Sequence, residues 1–85
     1  MNKEKIHTLI QESLGGRVLE YNLYEDNRNY GIELTLSSDS LNEKVKMDNI
    51  SNDKEMVVEL IDYLYENAVD TIHAKDVVED YISSL

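Results

Sequence analysis

Residues Ser51–Ala68, SNDKEMVVELIDYLYENA, decide how the chain is read. Val57, Leu60, Ile61, Leu64 and Ala68 recur at the three-and-four spacing of one helical face. At about 100° per residue, and with Tyr65 at the edge, they form an apolar stripe roughly 140° wide. Glu55, Glu59, Asp62 and Glu66 fall within roughly 60° of one another on the opposite side. The spacing predicts a helix that needs a core on one side and carries four carboxylates on the other. Ser51 or Asn52 is expected to cap it, and Asn52 with Glu55 has capping-box spacing. Like charges at i,i+4, as in Glu55–Glu59 and Asp62–Glu66, cost an isolated helix about 0.2–0.5 kcal/mol. Helix stability therefore does not require this arrangement.

Working outward, Ala74–Ser83 reads as a last helix, with Val77, Val78, Tyr81, Ile82 and Leu85 on one face. Upstream, Asn29–Ser37 alternates strictly, with Tyr30, Ile32, Leu34 and Leu36 on one side of a strand. Arg17–Tyr24 alternates likewise through Leu19, Tyr21 and Leu23, and Glu43–Ile50 forms a third strand with Val45 and Met47 inward. Short polar links favour an antiparallel meander. At the start, Ile6, Leu9, Ile10 and Leu14 share a helical spacing before Gly15-Gly16, so Asn2–Leu14 is expected to be an amphipathic helix stopped by the glycines. The expected fold is one α+β domain over residues 1–85. Its order is α-β-β-β-α-α, a three-stranded antiparallel meander with helices packed on one face.

The chain has 85 residues, no cysteine and a net charge of −10. Thiolate zinc sites, disulfides and cysteine nucleophiles are thereby excluded. No apolar run approaches the roughly 18 residues of a membrane span, and the start lacks a signal-peptide pattern, so a cytoplasmic protein away from membranes is expected. The charge is uneven. Residues 1–50 hold nine acids against six Lys or Arg, and residues 51–85 hold nine acids against Lys54 and Lys75. Such a field repels nucleic-acid backbones. The helix–three strands–helix order matches double-stranded-RNA-binding domains, but those need basic residues where this chain has Glu55, Glu59, Asp62 and Glu66.

No nucleophile elbow, glycine-rich phosphate loop, EF-hand or HExxH pattern occurs, and His7 and His73 stand alone. An enzyme is not expected, nor a cofactor or metal site. The expected function is a small acidic protein-binding or regulatory module whose partner is another protein with a basic surface. Glu55, Glu59, Asp62, Tyr63 and Glu66 would make the contact, with Tyr63 as its aromatic anchor. The alternative is an anionic nucleic-acid mimic that inhibits a nucleic-acid-binding enzyme. Homodimerisation through a strand edge or the tyrosines is a further option.

Tyr30-Gly31-Ile32-Glu33-Leu34, Ile50-Ser51, Leu64-Tyr65-Glu66-Asn67, Ile72-His73, Asp76-Val77 and Tyr81 together resemble a family of short uncharacterised proteins from anaerobic Gram-positive bacteria. The similarity runs from roughly Arg17 to Ile82. Where that pattern has a proline before Ile-His, this chain has Thr71. The resemblance implies a bacterial cytoplasmic setting and no activity.

Overall fold

A computed structural model describes residues 3–13 and 15–85. Four strands come first: β1 (Glu4–Ser13), β2 (Arg17–Asp26), β3 (Asn29–Ser37) and β4 (Asn42–Ser51). Two helices follow, α1 (Lys54–Glu66) and α2 (Ala74–Ser83). The sheet is an antiparallel meander in the order β1-β2-β3-β4. The expected order α-β-β-β-α-α is therefore corrected to β-β-β-β-α-α, still α+β, with four strands in place of three. The comparison with double-stranded-RNA-binding domains lapses with the N-terminal helix.

The segment read as that helix is β1; its proposed ends, Asn2 and Leu14, lie outside the described residues. Gly15 and Gly16 adopt φ of +90° and +75° and fold the chain back as a hairpin, which only glycine does readily. Pairing with β2 then runs from Ser13↔Arg17 to Glu4↔Glu25. A helix of that length is marginal in water, whereas the hairpin satisfies the backbone through β2. Leu9 lies opposite Tyr21 on the helix side, and Ile10 points away and is 55% exposed.

Asn27 and Arg28, with φ of +55° and +70°, form the tight turn between Asp26 and Asn29. Leu19, Tyr21 and Leu23 on β2 and Ile32, Leu34 and Leu36 on β3 are buried, as their alternation predicts. On β4, Val45 and Met47 lie opposite Leu34 and Ile32 and face the same way. α1 lies across β2, β3 and β4, and α2 lies against α1 and β4. Val57, Leu60, Ile61 and Leu64 of α1, with Ala74 and Val78 of α2, close the core. Burial of each large side chain is worth about 1.5–3 kcal/mol.

The ends of α1 differ in detail from the expectation. Ser51 still pairs with Tyr30 in the sheet, so the cap falls to Asp53, whose carboxylate accepts from the Met56 N–H at 3.3 Å. At the other end the Val69 N–H donates to the Leu64 carbonyl and the Ala68 N–H to the Tyr65 carbonyl, a Schellman closure. Ala68 is thus outside the helix, exposed, with φ of +49°. A left-handed residue with a Cβ is strained. Ala68→Gly should therefore stabilise the domain by about 0.5–1 kcal/mol after the extra chain entropy of glycine, raising Tm by about 3–6 °C. A lower Tm in a thermal melt would show that this strain is not present.

Candidate functional site

Two side chains from the sheet fix how α1 sits. The Gln11 amide donates to the Tyr65 carbonyl at 2.7 Å, and the Tyr21 hydroxyl donates to the Val69 carbonyl at 2.9 Å. Both carbonyls belong to the C-terminal end of α1 or the turn after it, where acceptors lack helical donors. The Tyr21 ring meets the Tyr65 ring edge-on at 5.8 Å. The Thr71 hydroxyl, in the loop between the helices, donates to the Glu43 carboxylate of β4 at 2.7 Å. The helical layer is therefore pinned to the sheet, and its outer side is held in one orientation.

On that outer side Glu55, Glu59, Asp62 and Glu66 are all exposed, and Tyr63 is 44% exposed. The wheel derived from the sequence is reproduced, and two depressions flank it. Glu55 and Glu59 share a shallow depression with Val58 and Lys54. Tyr63 belongs to a separate groove of about 450 Å³, lined by Val77, Asp80, Tyr81 and Ser84 of the α2 segment. The Tyr63 and Tyr81 rings lie 5.3 Å apart and 48° from parallel. Asp62 and Glu66 are neighbours of Tyr63 on α1.

Tyr81 and Asp80 are not among the site residues expected from the sequence, because their approach to Tyr63 depends on how α2 crosses α1. One signal was available. Asp62-Tyr63 recurs as Asp80-Tyr81 in the next helix, so each tyrosine brings its own carboxylate.

Two lysines at the start of the chain are already engaged. Lys3 pairs with Asp48 at 3.2 Å and lies over the Tyr24 ring at 4.8 Å, while Lys5 pairs with Glu20 at 3.7 Å. These cations are engaged with the sheet's own groups. Among the described residues, no lysine is paired with Glu55, Glu59 or Asp62. Neither α1 nor α2 has a basic residue in its last turn, so both negative dipole ends lack an intrahelical countercharge. Among the described residues, no three His, Asp or Glu side chains are placed to hold a metal ion. Among them, too, no helix is long and apolar enough to cross a membrane.

No curated protein and no solved structure matches this chain. The pattern of a family of unknown function (DUF6514) does match, over residues 1–84, and so takes in β1 as well as the stretch from Arg17 whose motifs carried the resemblance. With nearly its whole length covered, the chain belongs to that family of unknown function.

Proposed function

We propose that this protein is a small, non-catalytic binding module of the bacterial cytoplasm that docks the basic surface of another protein through the outer side of its helical layer. The observation that carries this reading is the excess of exposed acid on the helices. The lysines Lys3 and Lys5 are engaged with acids of the sheet, while Glu59, Asp62, Glu66 and Asp80 stand exposed on the helices. A surface with an excess of one sign, offset on these helices by Lys54 and Lys75, attracts the opposite sign, steering encounter and disfavouring like-charged competitors. The cytoplasmic setting is supported by the absence of cysteine, and the bacterial one by the resemblance described above.

The test is capture of partners from a lysate of the host cell by tagged wild-type protein and by the double variant Glu59→Lys/Asp62→Lys. Each exposed pair is worth about 0.2–1 kcal/mol, so reversing two charges should weaken a captured partner about tenfold, with the loss largest at low salt. Unchanged capture by the double variant would reject the reading. A second reading, an anionic mimic seated in a nucleic-acid-binding groove, draws on the same row of carboxylates. It is distinguished by whether DNA or RNA displaces the captured partner.

A further inference from the structure

Because Tyr63 and Tyr81 sit side by side with Asp80 in the groove between the helices, we infer that this groove receives an arginine side chain of the partner protein. The inference rests on the reading above and gives its surface an anchor point. Four observations converge on a guanidinium. The first is the pair of rings, 5.3 Å apart and tilted by 48°, an arrangement that leaves much of Tyr63 in solvent. An aromatic face in this position attracts a planar cation. The second is the Asp80 carboxylate in the same groove, which accepts the forked N–H pair that arginine presents and lysine does not.

The third observation is electrostatic. Tyr63 lies in the last turn of α1 and Tyr81 in the last turn of α2, and neither turn contains a basic residue. Helix C-termini favour cations, and Ser84, which closes the C-terminal end of α2, lines this groove. The fourth is the contrast with the other acidic depression, where Lys54 already stands beside Glu55 and Glu59. Charge complementarity therefore favours the tyrosine groove for the incoming cation, and leaves Glu59 and Asp62 as flanking charge.

Two acetylated, amidated pentapeptides, one carrying two arginines and the other two lysines at the same positions, provide the probe. Binding to the full chain is followed at low salt through the ring resonances of the tyrosines. The arginine peptide should bind about threefold to tenfold more tightly than the lysine peptide. Tyr63→Ala or Asp80→Asn should weaken it about fivefold, while Tyr63→Phe, which keeps the ring, should bind as wild type does. Tyr63 and Asp80 are exposed, and a thermal melt of each variant checks that the fold is retained. Equal binding of both peptides, insensitive to Tyr63→Ala yet weakened by Glu59→Lys/Asp62→Lys, would overturn the arginine anchor and leave the acidic docking face standing. Binding of neither peptide would overturn both.

Discussion

Gly31→Ala is expected to lower the stability of the domain by about 2–3 kcal/mol, near the upper end of what a single added methyl costs in a packed structure. A Cβ at this position would stand 2.5 Å from the Met47 carbonyl oxygen, 3.0 Å from the Asp48 Cα and 3.4 Å from the Asn49 nitrogen. All three are backbone atoms, so no side-chain rotation relieves the contact. They are brought close by a bulge. Pairing passes from Ile32↔Met47 directly to Tyr30↔Ser51, which leaves Asp48, Asn49 and Ile50 opposite Gly31 alone. Asn49 turns the bulge with φ of +55°.

The consequence extends beyond the sheet, because the bulge delivers Ser51 to the start of α1. The Ser51 hydroxyl accepts from the Asp53 N–H at 3.0 Å, and Asp53 caps the helix. Displacing the bulge should therefore loosen the first turn of α1 as well as the β3–β4 ladder. Thermal melts should show Tm lower by about 10 °C or more, and amide hydrogen exchange should speed up at Met56 and Val57 before it does in β2. A Gly31→Ala protein within about 0.5 kcal/mol of wild type would mean that the bulge yields freely and holds nothing in place.

The same region shows what the sequence could and could not disclose. Gly31 is legible as one residue of an alternating strand, but its necessity is not, because the backbone that crowds it comes from β4. The core face of α1 is legible, since Val57, Leu60, Ile61 and Leu64 repeat at the period of the helix that buries them. Its cap is misplaced because Ser51, Asn52 and Asp53 are all competent, and the choice among them is made by the sheet pairing of Ser51. Ala68 has the right spacing for the core, yet the chain leaves the helix before reaching it.

β1 is the clearest failure. Its alternation is hidden by a register shift between Lys5 and His7 and by a polar inward residue, Gln11, while an apolar one, Ile10, faces out. Glycine pairs end helices and turn hairpins alike, and only the partner strand decides between them. At the candidate site, the acids and Tyr63 follow from one helix's period. The groove does not, since it needs α2 to place Tyr81 beside Tyr63.

Tyr21→Phe is the second large effect, about 1.5–2 kcal/mol, and it separates the hydroxyl from the ring. The ring contact with Tyr65 survives the substitution. What is lost is the bond to the Val69 carbonyl at 2.9 Å and the longer one from Gln11 at 3.5 Å. Tm should fall by about 10 °C, with faster exchange confined at first to Asn67, Ala68 and Val69.

The effect should also depend on pH. Burial, followed by the nearby charge of Asp70 and then Tyr65, pushes the Tyr21 hydroxyl up from 10.0 to about 12. The neutral form is favoured in the folded chain, so the unfolded chain ionises first as pH rises. The contribution of the hydroxyl is therefore complete below pH 10 and is lost as pH climbs towards 12. Phenylalanine cannot ionise, and the other tyrosines are common to both proteins. The stability gap between wild type and Tyr21→Phe should be constant from pH 6 to 9 and shrink above pH 10 in denaturant titrations. A gap unchanged up to pH 11.5 would mean that this hydroxyl ionises as readily in the folded chain as in the unfolded one. In that case its bond to Val69 could not be what pins the end of α1, and with it Tyr63, against the sheet.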